Sequence, residues 1–408
     1  MLGREPGLDG LRAVAVLIVF ASHVEAFLPL ATLLVVPGGT VGLDPFFVLS
    51  GFLITALLLK EQSRYGTIMR WNFYKRRMVR LLPPLFFLLL ANVAIAVALN
   101  QWSRQELNSL LSVTFYYSNY YQASSTSLFC SNLSAGYEHL WSLSFEEQFY
   151  LIWPWIVIFL LTIKRSIRTV TIVILGTIAV IGIHRGFGYY GPQSWCYEFH
   201  ATQDRADALL WGCLAAHLWA RGREPTKLIR ILIWPAVLFL LICLPFTDLT
   251  GPFLYRGGFD AIDLSSAIVL LAIVGGTWSG RHFFEWKPLA KLGLIAYAFY
   301  LWHVTIFYEM ARIDTGWNYE LRVVVAFSWT LAMALISWFL LERPLQRWVH
   351  RTTPRSPKLA SESEVTADLK PDAGNDAIPP ASEPESEMSK SESPVPASEP
   401  SERGQSLP

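Results

Sequence analysis

The sequence predicts an all-α protein: a polytopic transmembrane helical bundle of about ten spans, followed by a disordered C-terminal tail. Hydrophobic residues make up 53% of the 408 residues and charged residues only 16%, whereas soluble domains carry about a quarter charged residues. The charges also gather between long apolar segments, and the last part of the chain differs in composition from the rest. We therefore expect the lipid bilayer as the protein's surroundings and no nucleic-acid partner.

Apolar runs of about 17 to 22 residues have the length that a bilayer requires. Lipid cannot satisfy backbone N–H and C=O groups, and barrels have short alternating strands instead of long apolar blocks, so we predict helices. The fifth and sixth runs are the shortest and are broken by Gly, His and Arg. The predicted spans are 11–33, 41–59, 82–99, 140–163, 169–186, 204–220, 228–247, 259–279, 289–310 and 321–341.

Lys and Arg predict the orientation of these spans. With a cytoplasmic N-terminus, the inside loops hold 22 Lys and Arg in five dense blocks, and the outside loops hold six. Cytoplasmic loops of membrane proteins carry such an excess. We therefore predict a multi-pass protein of the cell membrane with both termini in the cytoplasm. No small-residue cleavage site follows the first apolar run, so we expect that run to remain in the protein.

The tail is rich in Pro, Ser and Glu and has almost no large apolar residues. Such a segment cannot bury enough surface to offset its ordering entropy. We predict a transmembrane domain over 1–351 and a disordered cytoplasmic tail over 352–408. The tail is either a solvated acidic segment or a linker to another partner.

The four cysteines form two pairs, one predicted inside spans and one in outside loops. Cys213 and Cys243 lie inside spans, where a thiol packs as a small apolar group. Cys130 and Cys196 fall in outside loops, where oxidising conditions permit a disulfide. The sequence leaves open whether these two cysteines are bonded or free.

The first span carries an arginine and a histidine on one face. Arg12 and His23 are eleven positions apart, which corresponds to three helical turns and about 16 Å. Ionisable groups inside a membrane are costly and tend to line cavities or relays. Imidazole takes up and returns a proton near neutral pH, so His23 is a candidate base.

Two further segments carry charges into predicted spans. In "GGTVGLDPFFVLSGFLITALLL", packing through small residues explains Gly51 but not Asp44. At the start of the third span lies a basic group that either sets the topology or binds lipid, or else binds the phosphates of a cytosolic ligand. This group consists of Lys75, Arg76, Arg77 and Arg80.

The fourth span begins with "EHLWSLSFEEQFYLIWP". His139 lies at its outer end, and Glu146 and Glu147 lie about two turns deeper. Two adjacent carboxylates inside an apolar span carry a large desolvation cost. They either pair with a cation such as Arg205 or support the His23 imidazolium.

Three more candidates lie in later spans. Arg205 and Asp207 come at the outer end of the sixth span, in "DRADALLWGC". His303 lies in the ninth, in "YAFYLWH", and we expect it to be structural.

From about residue 7 to 350 the chain resembles the acyltransferase 3 family of bacterial integral-membrane O-acyltransferases. Several motifs carry the resemblance in order. They are "LDGLRAVAVLIVFASH", "FFVLSGFLIT", "RRMVRLLPP", "HLWSLSFEEQFYLIWP", "RADALLWGC", "YAFYLWH" and "ERP".

The resemblance implies transfer of an acyl group, commonly acetyl, from cytosolic acyl-coenzyme A to a hydroxyl of a sugar-containing acceptor, with no metal. It implies that His23 is the catalytic base and Arg12 its companion. Arg77 and Arg80 would bind the coenzyme A phosphates, and Glu146 or Glu147 would be the supporting acid. Pro45 departs from the apolar or aromatic residue expected after Asp44. Some family members carry an additional secreted esterase-like domain, and in its place we expect the acidic tail.

Two other functions fit the same features. A transporter or flippase for a glycolipid precursor would also use many spans and intramembrane charges. An inactive relative acting as a scaffold would not need the Arg, His and Glu residues that the motifs retain.

Overall fold

The computed structural model describes residues 5–27, 38–127, 130–163, 165–222, 226–276, 278–313 and 316–352. Within these ranges the regular structure is helical and no strand occurs. The prediction of an all-α helical bundle is therefore confirmed. The predicted tail and the end of the first predicted span fall outside the described residues.

Sixteen α-helices make up the described part of the chain. A 3₁₀ turn at Glu138–Leu140 precedes α6, and π-helical segments at Leu254–Gly258 and Trp338–Glu342 adjoin α11 and α15. The helices are α1 Pro6–Phe27, α2 Thr40–Tyr65, α3 Arg70–Ala98, α4 Arg104–Thr114, α5 Ser118–Ala123, α6 Trp141–Thr162, α7 Ile167–Gly188, α8 Trp195–His200, α9 Thr202–Trp219, α10 Thr226–Phe246, α11 Phe259–Val274, α12 Arg281–Phe284, α13 Lys287–Leu294, α14 Ala296–Arg312, α15 Tyr319–Ser337 and α16 Arg343–Thr352.

Eight helices in the described ranges are long and apolar enough to cross a membrane. The pair α13 and α14 is bent by 72° and forms a ninth if it is counted as one span. α9 corresponds to the predicted sixth span but carries three charged residues, Asp204, Arg205 and Asp207. The count of ten spans therefore stays a prediction.

α2 and α9 pack closely because glycines meet backbone at their crossing. A Cβ on Gly51 would lie 1.9 Å from the Leu209 carbonyl oxygen, and one on Gly212 would lie 1.9 Å from that of Val48. The predicted small-residue packing at Gly51 is thus present, as close approach of two backbones requires. α2 also continues through Pro45, which lies near its start.

The segment 100–138, between the third and fourth predicted spans, contains two short helices, α4 and α5. Ser103 caps α4 by accepting a hydrogen bond from the Glu106 amide at 3.2 Å, as serine does at helix N-termini. A disulfide between Cys130 and Cys196 joins this segment to α8. Asn119 of α5 donates to the His200 carbonyl at 3.2 Å. These contacts give the bundle an additional layer at the end where α6 begins.

α1 lies at the centre of the arrangement. It packs against α2 on one side and against α13 and α14 on the other. The first turns of α6 pack against α14 through the 3₁₀ turn. This arrangement brings the candidate residues of α1, α6 and α14 together.

Candidate active site

Arg12 and His23 lie on one face of α1, as predicted. Arg12 forms an ion pair with Asp9 at 2.7 Å. The Nδ1 atom of His23 lies 2.8 Å from the Val19 carbonyl oxygen. Because a carbonyl oxygen only accepts hydrogen bonds, Nδ1 carries the proton and donates it. In the neutral ring the lone pair is then on Nε2, which is the state that a general base needs.

His23 belongs to a group of three imidazole rings, which we call the histidine cluster: His23, His139 and His303. The ring centroids of His23 and His303 are 4.9 Å apart, and those of His303 and His139 are 5.0 Å apart. His303, expected to be structural, is therefore in direct ring contact with the candidate base. The cluster joins α1, the 3₁₀ turn before α6, and α14.

Backbone carbonyls of α14 fix two rings of the histidine cluster. Nδ1 of His303 donates to the Tyr300 carbonyl at 2.5 Å, and Nε2 of His139 donates to the Leu301 carbonyl at 3.1 Å. The remaining nitrogens, His303 Nε2 and His139 Nδ1, are buried and have no hydrogen-bond partner among the described residues. Both are lone-pair nitrogens, so each can accept a proton.

Two hydroxyls adjoin the cluster. The Tyr300 hydroxyl donates to the His139 carbonyl at 2.6 Å, and the Ser142 hydroxyl lies 2.6 Å from the Tyr300 oxygen. Tyr300 and Ser142 are not among the site residues predicted from the sequence. Both lie inside quoted motifs, "YAFYLWH" and "HLWSLSFEEQFYLIWP", but a motif alone does not say which members meet across the bundle.

A cavity of about 40 Å³ extends along the Arg12–His23 face of α1. Val16 and Val19, which lie between Arg12 and His23, form its α1 wall. Its other residues come from α2, α6 and α14: Leu43, Phe46, Phe47, Ser142, Leu143, Glu146, Tyr297 and Tyr300. Glu146 is the acidic residue of this lining, and its Oε1 atom is buried without a hydrogen-bond partner among the described residues.

Glu147 has a different environment from Glu146. Arg77 donates to its Oε1 from Nε at 2.9 Å and from a terminal nitrogen at 2.6 Å. The same guanidinium lies over the Tyr150 ring, 3.3 Å from its centroid. Glu147 thus pairs with a cation, but that cation is Arg77 and not the Arg205 considered from the sequence.

The basic residues on α3 also differ in their surroundings. The Glu147 carboxylate already holds Arg77. Arg80 is exposed, and its charge is close enough to act on the side chains of Arg12 and Glu146. Lys75 is exposed, with Nζ 5.5 Å from the Trp348 ring centroid. Arg80 therefore lies near Arg12, at the opposite end of the Arg12–His23 face from the histidine cluster.

Asp44, Arg205 and Asp207 belong to a separate buried network. Arg205 forms an ion pair with Asp44, and both side chains are 0% exposed. Arg185 bonds to Asp207 at 2.6 Å and to Asp260 at 2.7 Å. These pairs join α2, α7, α9 and α11, which explains how α9 buries its charges inside the bundle.

Along the α1 face the arrangement combines Arg12, a cavity that Glu146 lines, and the histidine cluster. Such a site suits proton removal from a hydroxyl that attacks an activated acyl group. Within the described ranges, no group of three or more His, Cys, Asp or Glu side chains is arranged to hold a metal ion.

The family model for the acyltransferase domain matches residues 5–342. The chain therefore belongs to the acyltransferase 3 family, as the motifs predicted.

Two curated relatives show what kinds of protein the chain is similar to. The chain is 31% identical over 369 residues to YrhL of Bacillus subtilis, a candidate peptidoglycan O-acetyltransferase, with 86% of this chain and 56% of the relative covered. It is 30% identical over 381 residues to the O-acetyltransferase OatA of Staphylococcus aureus strain MRSA252, with 88% of this chain and 60% of that protein covered. The chain thus spans less than two thirds of either relative's length. No solved structure matches it.

Proposed function

We propose that this protein is a membrane O-acetyltransferase that moves an acetyl group from cytosolic acetyl-coenzyme A to a sugar hydroxyl of a cell-envelope glycan. The observation that carries the proposal is the α1 face. It has a cation at one end, a cavity in the middle and the histidine cluster at the other end. The relatives' names, which specify O-acetyl transfer, support acetyl as the group and peptidoglycan as the first acceptor to test.

The donor would approach the basic end. Arg80, Arg76 and Lys75 are available there for the coenzyme A phosphates, which guanidinium groups match well. Arg77 is already paired with Glu147, so we propose that it positions the helices beside the phosphate site and does not bind phosphate itself. Arg12 would meet the part of the donor that lies next to the cavity.

His23 would act as the base. Its Nε2 takes the proton of the acceptor hydroxyl while the hydroxyl oxygen attacks the thioester carbonyl carbon. The carbon–sulfur bond then breaks, and the thiolate leaves as coenzyme A after receiving the proton from His23. Glu146 lines the same cavity and would stabilise the imidazolium, while His303 fixes the ring's position.

We also propose the orientation that the basic loops predict, with the N-terminus and the C-terminus in the cytoplasm of a cell-membrane protein. In this orientation α1 runs outward, since it begins near Arg12 and reaches His23 three turns later. The donor end of the cavity then faces the cytosol, where acetyl-coenzyme A is made. The histidine cluster faces the side on which the glycan is found.

Acetyl transfer by the His23→Ala variant tests the proposal. Purified protein in detergent would receive acetyl-coenzyme A and peptidoglycan fragments, with ester formation followed by mass spectrometry. We expect a loss of about 10²-fold or more. His282→Ala is the matched control, because His282 is 72% exposed and lies outside the site. Full activity of a folded His23→Ala variant would contradict the role.

A second measurement separates the enzyme from the flippase alternative. An acetyltransferase must bind its donor, so acetyl-coenzyme A should raise the melting temperature of the purified protein. The Arg80→Gln variant should require a higher donor concentration for the same shift. A flippase needs no such site and would show no stabilisation by the donor.

A further inference from the structure

A second, larger cavity lies away from the candidate active site. It occupies about 300 Å³ between α2, α6, α7 and α9, which is at the lower end of the range for small-molecule sites. Its wall is mostly apolar, with Val157, Leu160 and Ile174 among its members. It shares no lining residue with the cavity beside His23.

One end of this cavity is basic. Arg165, Arg221 and His217 line it there, and the two arginines are exposed. In the part of the chain that the structure describes, neither arginine forms an ion pair. The His217 side chain is 5% exposed, and its Nε2 atom has no hydrogen-bond partner among the described residues. Among the described residues, therefore, no carboxylate pairs with these two arginines.

The basic end continues into a second cavity of about 380 Å³ with a mixed lining. The two cavities share Leu59, Leu161 and Arg221, and the second is also lined by Lys60 and Gln62. Neither lining contains a carboxylate from the part of the chain that the structure describes. The first cavity is thus continuous with a second one past Arg221, and the second lining adds Lys60, Gln62 and Ser63 to its apolar residues.

We propose that this pair of cavities binds an anionic membrane phospholipid. Its phosphate would lie between Arg165 and Arg221, its glycerol headgroup beside Lys60, Gln62 and Ser63 of the second cavity, and part of one acyl chain in the first, mostly apolar cavity. A zwitterionic lipid would leave the cationic charge unmatched, and a small free anion would leave the apolar cavity unfilled. Basic pockets at the ends of transmembrane helices bind anionic headgroups for this reason.

The test uses the full-length protein purified in detergent without added lipid. Native mass spectrometry would measure binding of phosphatidylglycerol and of phosphatidylcholine with identical acyl chains. We expect phosphatidylglycerol to bind more tightly and to raise the melting temperature. The double variant Arg165→Gln/Arg221→Gln should weaken that binding by about tenfold to thirtyfold.

Two further variants make the test specific. Arg168→Gln/Arg230→Gln removes the same charge from exposed positions outside both linings, and we expect it to bind phosphatidylglycerol like the unmodified protein. Val157→Phe adds volume inside the apolar cavity and should weaken lipid binding with both arginines present. If Val157→Phe does not fold, the comparison of the two double arginine variants still tests the proposal.

Several results would overturn the proposal. Equal binding of the two lipids would do so, as would equal effects of the two double variants. If glycerol phosphate bound as tightly as phosphatidylglycerol, the site would be for a free anion. If acetyl-coenzyme A displaced the lipid, the cavities would belong to the donor site. The proposal does not rest on the acetyltransferase function, since lipid binding is measured without turnover.

Discussion

Glu146 and Glu147 are neighbours in sequence but have different surroundings. Successive residues of a helix point about 100° apart. Glu146 consequently reaches the cavity on the α1 face, while Glu147 meets Arg77. The sequence motif alone treats the two carboxylates as equivalent, and their separation follows from which helices pack on each side of α6.

This difference predicts a split between activity and stability. Glu146→Gln should lower the rate of acetyl transfer by about 10²-fold or more, because the carboxylate that lines the proposed substrate cavity is lost. Glu147→Gln should instead lower the free energy of unfolding by about 1.5–3 kcal/mol, since Arg77 loses a charged hydrogen-bond partner. Steady-state kinetics and thermal unfolding of both variants check this split. The opposite pattern would exchange their roles.

Glu198 on α8 lies outside the membrane-spanning helices. From its surroundings we predict that the stability of the protein depends on pH. Its side chain is buried, and this burial, together with the nearby Asp204 carboxylate, raises its pKa to about 7. The folded state therefore holds its proton more tightly than the unfolded chain does, so this group's contribution to stability falls as pH rises from about 4.3 to 7. Thermal unfolding from pH 5 to 8 should show less decline in Glu198→Gln. The same decline in both proteins would contradict the assignment.

At the scale of helices, α9 shows how a charged segment enters an apolar bundle. Its charged residues face Asp44 of α2 and Arg185 of α7 and are fully buried. Its glycine face meets the backbone of α2. Removing one member of such a buried pair leaves an uncompensated charge, so the network fixes the position of α9.

The α2–α9 crossing predicts a strong effect of a small substitution. A Cβ on Gly212 would overlap the Val48 carbonyl, so Gly212→Val should cost about 3 kcal/mol or prevent folding, the upper end for overpacked cores. Gly176→Val on α7 is the matched control, because its Cβ would meet nothing within 4 Å. Folded yield and melting temperature report the result. Equal behaviour of the two variants would show that the helices separate easily.

Several parts of the site follow from helical periodicity. The shared face of Arg12 and His23, and the depth of the glutamates, needed only the rise and turn of a helix. Periodicity could not place His303 beside His23, because that contact depends on how α14 packs against α1. For the same reason Ser142 and Tyr300 could not be singled out from their motifs.

At the scale of the molecule, the Cys130–Cys196 disulfide ties α8 to the segment that holds α4 and α5. The two cysteines are separated by 66 positions, and a cross-link over a long loop stabilises mainly by restricting the unfolded chain. We expect Cys130→Ser/Cys196→Ser to lose about 2–4 kcal/mol of stability. Thermal unfolding with and without reductant checks this.

The reductant supplies the control for that prediction. It should lower the melting temperature of the unmodified protein and leave that of the double variant unchanged. Cys213 and Cys243 are buried and free, so they do not respond in the same way. A mass map showing free thiols at Cys130 and Cys196 would contradict the prediction.

The sequence by itself determined the helical class, the apolar segments and the family, because each depends on local periodicity or on a linear order of motifs. It also determined the α1 face, since one helix carries it. The tertiary structure decided that Glu147 pairs with Arg77, that Glu146 lines the cavity, and that His303 adjoins His23. These outcomes depend on contacts between helices far apart in the chain, and a local pattern carries no information about which faces meet.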